Sequence, residues 1–296
     1  MTPVVPLRFQ VGARTLAAVP RRLVRMALSL DAVLAAAVPA LPRLPDDADG
    51  FLVTSVPEAA IDGFVPAGLL CAVRQRYVRY HIDFGVGVEA WLAGLSGSAR
   101  SGLKRKARKL AAASGGTLDI RAYRTVEEMR TFHPLARAVS ATTYQERLLG
   151  AGLPEDVAYC VELAAEDRIR GWLLFVGDAP AAYLCCTAEG ESLRYDHVGH
   201  DPAHDTLSPG AVLQMEAMRA LFDDRFARFD FTEGEGQHKR QFATGGTACV
   251  DLLLLRPTLS NRAILAALGA FDGAVAWAKR ASAHPALQPL AKQVRR

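Results

Sequence analysis

Three apolar segments in the middle of the chain, separated by two short turns, constrain the fold more than any other feature. They span residues 169–176, 181–187 and 193–198, with Gly177 and Gly190 in the intervening turns. Short apolar runs joined by tight glycine-containing turns are typical of β-hairpins. The pattern predicts an antiparallel meander, which needs further elements to cover its apolar faces.

Helix signals lie on both sides of this predicted meander. Thr125-Val-Glu-Glu128 has the pattern of a capping box and predicts a helix to about residue 138. Ser208-Pro209 predicts an N-cap followed by proline in the first turn of a helix that runs to about residue 222. Further strands are predicted at residues 51–56, 77–84, 118–123, 226–231 and 250–255, and a further helix at 154–165. The order of elements indicates a mixed α+β fold.

Length and composition fit a cytoplasmic globular protein. The chain has 296 residues, of which 50% are hydrophobic, enough for two subdomains or one decorated domain. Prolines and arginines interrupt the first 22 residues, which argues against a signal peptide, and Arg25, Asp31 and Pro39 break the best candidate for a membrane span. The cysteines are odd in number and lie in apolar surroundings, as expected of buried thiols in a reducing compartment. They are Cys71, Cys160, Cys185, Cys186 and Cys249.

Both ends of the chain are basic and carry apolar residues at helical spacing. The only acid in residues 1–45 is Asp31, and the only acid in residues 256–296 is Asp272. Apolar residues recur from Leu23 to Val38 and from Ile264 to Val275 with the period of a helix. Two amphipathic helices are predicted, which either pack on the core of the protein or bind an anionic membrane surface.

An internal segment is also strongly basic. No acid occurs between Glu89 and Asp119, and Ser98 and Gly115 are placed to begin and end a helix between them. Its cations are Arg100, Lys104, Arg105, Lys106, Arg108 and Lys109. Suitable partners are an acidic small molecule, a phosphate-bearing cofactor, an acyl carrier or an anionic lipid, and a solvated helix face is the alternative. Nucleic acid is disfavoured, because aromatic residues are not interleaved with the cations.

A polar cluster follows the predicted strand 226–231 and has the composition of a site. Glu233, Glu235, His238 and Lys239 lie within a few residues of one another, and glycines between them leave the backbone accessible. The structural alternatives are an ion pair between Asp230 and Lys239 and simple solvent exposure of the two glutamates. A second cluster contains His197, His200, His204, Asp201 and Asp205. It has no convincing metal-ligand spacing, so no metal site is expected.

Together these motifs resemble the GNAT acyltransferase superfamily. The resemblance rests on the meander, the Leu207-Ser208-Pro209-Gly210 helix start, the Phe229-Asp-Phe231 strand and Gly234-x-x-x-x-Lys239. It covers roughly residues 100–255 and is nearest to the branch of the cellulose-biosynthesis acetyltransferases, with the Fem peptidyltransferases more distant. His238 departs from that branch, because an aromatic residue is usual at this position.

The resemblance implies an α+β fold with a mixed, mostly antiparallel sheet flanked by helices. It also allows a degenerate second GNAT-like half on the N-terminal side. The organisation expected from it is a basic N-terminal segment at 1–50, a subdomain with the basic helix at 51–117, the acyltransferase domain at 118–256 and a basic C-terminal helix and tail at 257–296.

The same resemblance implies transfer of an acyl group from a thioester to an amine or a hydroxyl. The co-substrate is acyl-CoA or an acyl carrier protein, with no permanently bound cofactor and no metal. A base must deprotonate the attacking ammonium, and Glu233 or His238 is the expected base, with Asp230 fixing the loop. The acyl donor is expected to bind at the start of the helix that follows the meander and at the lysine of the polar cluster. These residues are Thr206, Leu207, Ser208, Pro209, Gly210 and Lys239.

Two classes of acceptor are open, and a non-catalytic role is a third alternative. The basic ends and high apolar content favour a lipid amine such as a sphingoid base, acylated by a protein peripheral to the inner face of the membrane. The family resemblance favours an envelope polysaccharide or its sugar precursor. A third alternative is an inactive GNAT-like scaffold in a membrane assembly. An apolar tunnel beside the Glu233 loop would support the lipid, and an open polar groove with exposed Trp or Tyr would support the sugar.

Overall fold

The computed structural model describes residues 1–12, 14–143, 146, 152–234 and 236–283. The strands within these residues are β1 (Val4–Val11), β2 (Arg14–Ala27), β3 (Gly50–Pro57), β4 (Leu70–Asp83), β5 (Asp119–Tyr123), β6 (Ile169–Val176), β7 (Ala179–Glu189), β8 (Ser192–His200), β9 (Arg228–Asp230) and β10 (Gly245–Leu255). The helices are α1 (Leu30–Leu34), α2 (Ile61–Phe64), α3 (Val88–Gly94), α4 (Gly97–Ala113), α5 (Val126–Ser140), α6 (Ala158–Ala165), α7 (Pro209–Leu221), α8 (Gln237–Phe242) and α9 (Leu259–Ala283). Glu235 and the tail after residue 283, both part of the sequence predictions, lie outside the described residues.

The chain divides into two compact units. The first comprises Met1–Arg76 and Ala248–Arg296, and the second comprises Tyr77–Thr247. In the first unit β1 pairs antiparallel with β2, β2 pairs parallel with β3, and β3 pairs antiparallel with β10. Its core includes Leu23, Leu253 and Leu268, the last contributed by α9. The finer division into four segments and the degenerate second GNAT-like half stay predictions.

The N-terminal segment corrects the sequence prediction of a helix from Leu23 to Val38. Residues 14–27 form strand β2, and the helix is limited to the five residues of α1, which Ser29 caps at the amide of Ala32. The helical spacing of the apolar residues was a coincidence, since it spans the end of a strand, a turn and a short helix. Pairing of β2 with two neighbouring strands outweighs local helix propensity. The C-terminal prediction is confirmed, because α9 includes Ile264–Val275.

The second unit contains the predicted meander. Its strands follow the order β4-β9-β8-β7-β6-β5, and every pair is antiparallel except β8 with β9. Helices lie on both faces, as the alternating residues of β6 show. Trp172 and Leu174 pack in the core with α3, α4 and α7, whereas Leu173 packs in the core with α5 and α6. The predicted α+β fold, with a mostly antiparallel sheet flanked by helices, is confirmed.

Local signals explain where the helices of this unit begin and end. Thr125 and Glu128 form the predicted capping box at the start of α5. The basic helix α4 begins two residues earlier than predicted, because the Ser96 hydroxyl and not that of Ser98 accepts from the amide of Ala99, at 3.2 Å. It ends before Gly115, whose φ of 77° suits glycine. None of the described helices is long and apolar enough to cross a membrane.

Candidate active site

Strands β8 and β9 separate at the centre of the second unit. They pair in parallel from Ser192–Arg228 to Arg194–Asp230, after which β9 ends and β8 continues to His200. The edge of β8 that faces β9 therefore lacks a strand partner beyond Arg194 within the described residues. An unpaired strand edge offers N–H and C=O groups to a ligand. Where the two strands separate, β9 ends and the chain continues into the polar loop and then into α8.

A buried ion pair anchors the start of that loop. Arg79, on β4, donates to Asp230 from Nε at 3.1 Å and from Nη2 at 2.5 Å, and the side chains of both residues are almost completely buried. Desolvation opposes the charge of Arg79, yet the hydrogen bonds and negative charge of Asp230 leave its pKa raised. Asp230 Oδ1 also accepts from the backbone amide of Thr232 at 2.8 Å. Thr232 has a φ of 58°, so the carboxylate holds a backbone conformation that non-glycine residues rarely adopt.

Lys239 does not supply the ion pair that the sequence suggested for Asp230. Its side chain is buried, and Nζ donates to the backbone carbonyl of Glu233 at 2.6 Å. Asp230 takes Arg79 instead, a residue 151 positions away in sequence. The lysine thus contacts the backbone of its own loop.

His238 and Glu233 occupy different parts of the loop. The His238 ring packs on that of Tyr195 with centroids 5.9 Å apart. Desolvation and the nearby charge of Lys239 lower the pKa of His238, which favours the neutral imidazole, the form that can accept a proton. Glu233 is half-buried, and its charge helps to raise the pKa of Arg79. Glu233 thus interacts electrostatically with Arg79 of the buried ion pair, whereas His238 packs on Tyr195.

A polar cavity of about 470 Å³ lies where α4, α7 and α8 meet, and it shares Phe242 and Leu103 with the core. Its polar lining includes Arg105, Lys106, Gln214, Gln237, His238 and Gln241. Among the described residues Glu233 is not part of this lining. The basic helix, the helix after β8 and the predicted base His238 are therefore brought together at one cavity.

An apolar cavity of about 340 Å³ adjoins the polar one. It lies between α3, α4 and α7, and Leu103 lines both cavities. Leu92, Val212 and Met215 contribute to its apolar walls. Charged side chains also line it, namely Arg100, Lys104, Glu216 and Arg219. The two cavities thus differ in chemistry although α4 and α7 contribute to both.

The start of α7 differs from its predicted geometry. Ser208 is the N-cap residue, as predicted, but its backbone is left-handed, with φ 54° and ψ 50°, and its side chain makes no capping hydrogen bond. Pro209 occupies the first turn as predicted, while Gly210 lies against the ring of His200. The preceding residues Pro202–Leu207 form a 3₁₀ helix. This helix contacts α4, because Lys109 Nζ donates to the carbonyl of Thr206 at 2.8 Å.

Comparisons with known proteins agree with this geometry. Residues 97–240 match the family described as acetyltransferase (GNAT) domain. This part of the chain is similar to a GNAT acetyltransferase domain. The match includes α4, the meander, α7 and the loop with His238. The prediction of a GNAT-type acyltransferase is thereby confirmed, whereas the branch of the cellulose-biosynthesis acetyltransferases stays a prediction.

Solved structures show similarity of fold. A conserved protein of unknown function from Bacteroides thetaiotaomicron is 12% identical, with a TM-score of 0.51 and 69% of each chain covered. The C-terminal domain of a putative lysylphosphatidylglycerol synthetase from Agrobacterium fabrum is 10% identical, with a TM-score of 0.51 over 76% of this chain and 72% of that one. FemX is 10% identical over 84% of this chain and 87% of that one, with a TM-score of 0.46. No curated protein sequence matches the chain.

The histidines of the second cluster make separate contacts. Tyr159 Oη and His197 Nε2 are 3.5 Å apart, and burial lowers the pKa of His197. His200 instead pairs with Asp205 at 2.7 Å. Within the described part of the chain, no group of three or more His, Cys, Asp or Glu residues could hold a metal ion. His197 and His200 thus belong to separate pairs.

Sequence reasoning missed two residues of this site. Arg79 appears in the sequence as one of several charges on an alternating strand, and nothing local connects it to Asp230. Gln214 appears as an ordinary polar residue of a helix, although its side chain is buried at the polar cavity. Only the packing of distant elements identifies either residue.

Proposed function

We propose that the GNAT domain transfers a fatty acyl group from acyl-CoA or an acyl carrier protein to the amine of a lipid such as a sphingoid base. The observation that supports this proposal is the pair of cavities that share Leu103. One is polar and contains a neutral imidazole, and the other is largely apolar. Such a pair suits a reaction whose reacting groups are polar and whose substrates carry long hydrocarbon chains.

The apolar cavity suits an alkyl chain. Leu92, Val212 and Met215 supply hydrocarbon contacts along its walls. Each methylene group transferred from water to such a site contributes about 0.8 kcal/mol, so a long chain gains much more than an acetyl group. Arg100 and Lys104 lie on the same helix at the cavity and suit an anionic group attached to the chain.

The polar cavity suits the thioester and the amine. His238 would accept the proton of the attacking ammonium, after which the amine nitrogen bonds to the thioester carbonyl carbon. The carbon–sulfur bond then breaks and the thiol leaves, which yields an amide and the free carrier thiol. Arg105 and Lys106 suit the phosphates of the donor, together with the predicted donor-binding residues at the start of α7. Lys239 as a residue that binds the acyl donor remains part of this proposal, and its Nζ also donates to the backbone carbonyl of Glu233.

The cavity chemistry favours the lipid over a sugar acceptor. Among the described residues, the lining of the polar cavity contains neither Trp nor Tyr, the side chains on which sugar rings would stack. The apolar cavity lies against α3, α4 and α7 and not beside Glu233, so the chain would lie behind the reacting groups. Acetyl transfer to an envelope polysaccharide or its precursor remains the rival, and the inactive scaffold is the outcome if no thioester binds.

The N-terminal hairpin suggests that the lipid is collected at a membrane surface. Strands β1 and β2 expose the apolar side chains of Val4, Val11 and Leu16 next to the cations Arg8 and Arg14. We propose peripheral attachment of this hairpin to an anionic surface. Replacing both arginines with glutamine should reduce cosedimentation with phosphatidylglycerol vesicles and leave the melting temperature unchanged. Equal cosedimentation of the variant would contradict the attachment.

Thermal stabilisation by acyl-CoAs of increasing chain length tests the proposed function. A ligand that binds only the folded protein raises its melting temperature, so palmitoyl-CoA should raise it more than acetyl-CoA. Met215→Trp should fill the apolar cavity and remove the advantage of the long chain while it preserves the response to acetyl-CoA. Leu259→Trp, at a residue 86% exposed on α9, is the control for an added tryptophan.

Three outcomes would contradict the proposal in different ways. A preference of the wild type for acetyl-CoA would favour the sugar. No stabilisation by any thioester would favour the scaffold. An undiminished response of Met215→Trp to palmitoyl-CoA would exclude the apolar cavity as the site of the chain.

A further inference from the structure

Gln214 has a buried polar group without a partner. It lies in the second turn of α7, its side chain is 6% exposed, and it lines the polar cavity. Its Nε2 makes no hydrogen bond to any described residue. The other such atoms in the described chain, His81 Nδ1 and Ser114 Oγ, belong to residues outside the cavity lining. Gln214 is thus the one orphaned donor of the described residues that lines a cavity.

An orphaned donor is unfavourable for the folded protein. A buried amide N–H without a partner loses its hydrogen bonds to water and gains none in return, whereas an apolar side chain of the same length would avoid that cost. The neighbours Val212, Leu213 and Met218 on α7 are apolar, so the helix could accommodate one more apolar residue here. A bound ligand that accepts a hydrogen bond from Nε2 would offset the cost.

The distribution of charge in the cavity indicates what kind of ligand group this is. Arg105 is exposed and Lys106 half-buried, whereas Gln214 is buried. A phosphate remains charged and suits the cations near solvent, because burial of an ion without a counterion is very costly. A neutral carbonyl oxygen suits the neutral amide at the buried position. The cavity therefore fits a ligand with charged phosphates at one end and an amide-bearing arm.

We propose that Gln214 Nε2 donates a hydrogen bond to an amide carbonyl of the arm that joins the thioester to the phosphates of the donor. The identity of the donor rests on the proposed function, but the orphaned amide and its place in the cavity do not. Gln214 is then a donor-recognition residue, which distinguishes thioesters that carry this arm from thioesters that lack it.

The variant Gln214→Met tests this role, since it conserves length and removes the donor. Affinity for palmitoyl-CoA, measured without acceptor, should fall about 10-fold, as expected when one buried hydrogen bond of about 1.4 kcal/mol is lost. The melting temperature of the ligand-free variant should equal or exceed that of the wild type. Gln10→Met, at an exposed glutamine of the hairpin, is the matched control and should change neither quantity.

Shortened donors separate recognition of the arm from other effects. The loss caused by Gln214→Met should persist with S-palmitoyl-pantetheine, which has the amides but no diphosphate. It should disappear with S-palmitoyl-2-mercaptoethanol, which has neither. A loss that disappears already with the pantetheine ester would assign Gln214 to the phosphates and overturn the proposal.

Failure of this inference differs from failure of the proposed function. Equal affinity of wild type and Gln214→Met for palmitoyl-CoA would overturn the role of Gln214 while the acyltransferase assignment to fatty donors stands. A clear drop in the melting temperature of ligand-free Gln214→Met would show that the glutamine stabilises the fold, which also overturns it. If the wild type binds none of the thioesters, the fatty-donor proposal and the role of Gln214 fall together.

Discussion

The polar loop after β9 contains two regions that look alike in sequence and differ in the structure. At its start, Asp230 is completely buried and paired with Arg79. At its end, His238 is open to the polar cavity. The first region uses its charge to hold the backbone, and the second presents a titratable ring to a ligand. A cluster of acid and base residues in sequence is thus no guide to which of them meets substrate.

The largest effect on the free energy of unfolding is expected at the buried ion pair of Arg79 and Asp230. Asp230→Asn leaves the Arg79 guanidinium buried without its counterion, and loss of one partner of a buried ion pair costs about 3–5 kcal/mol. The midpoint of urea unfolding should fall accordingly, with an unchanged dependence of the unfolding free energy on urea. The exposed Asp223→Asn is the control and should stay within about 0.5 kcal/mol of the wild type. Full stability combined with lost turnover would place Asp230 in the chemistry instead.

At His238 we expect a loss of turnover without a loss of stability. His238→Gln should reduce turnover roughly 10²-fold, the lower end for loss of a general base, without a change in the urea midpoint. Single-turnover measurements with palmitoyl-CoA and a sphingoid amine would isolate the chemical step. Glu233→Gln is the contrasting variant, because Glu233 acts on the anchor and not on the cavity. Retained activity of His238→Gln with lost activity of Glu233→Gln would reverse the assignment.

A smaller effect is expected where the two regions meet, at Lys239. Its charge lowers the pKa of His238, and turnover that needs neutral imidazole falls as the pH drops through that pKa. Lys239→Met removes the charge, so the pKa of His238 should rise and the acid limb of the pH profile should move to higher pH. A movement of one pH unit would correspond to about 1.4 kcal/mol of interaction. If the acid limb of the pH profile lies at the same pH in Lys239→Met as in the wild type, His238 is not the group whose titration limits turnover.

The smallest effect is expected at the exposed side of the same loop. Arg240 donates from Nε to Tyr80 Oη at 3.2 Å, and both groups are accessible to solvent. Hydrogen bonds and charges at exposed positions contribute little, so Arg240→Ala should lower the unfolding free energy by no more than about 1 kcal/mol. A loss comparable to that of Asp230→Asn would remove the contrast between the buried anchor and the rest of the loop.

Sequence reasoning succeeded where local interactions decide the structure. The capping box at Thr125 and the turns of the meander depend on residues a few positions apart, and both appear as predicted. It failed at β2, where pairing with β1 and β3 decides the conformation and the helical period had no structural counterpart. At Ser208 it found the position of the N-cap but not the left-handed backbone, which follows directly on a 3₁₀ helix.

The site was only partly predictable for the same reason. The composition of the loop after β9 indicated that it lines a site, and His238 does line the polar cavity. The burial of Asp230 depends on its pairing with Arg79, which is far away in sequence. The unpaired amide of Gln214 depends on how α7 packs. Neither feature can be read from a few neighbouring residues. Buried polar partners far apart in sequence carry no local pattern.

The distance in sequence between Arg79 and Asp230 also has a consequence for how the enzyme comes into being. Chains are synthesised from the N-terminus, and a contact across 151 positions closes only after nearly the whole domain has left the ribosome. Before then the carboxylate of Asp230, which accepts from the amide of Thr232, has no guanidinium to hold it in place. A nascent or truncated chain with a finished meander would still lack this anchor, so the polar loop would become ordered only once the domain has been completed.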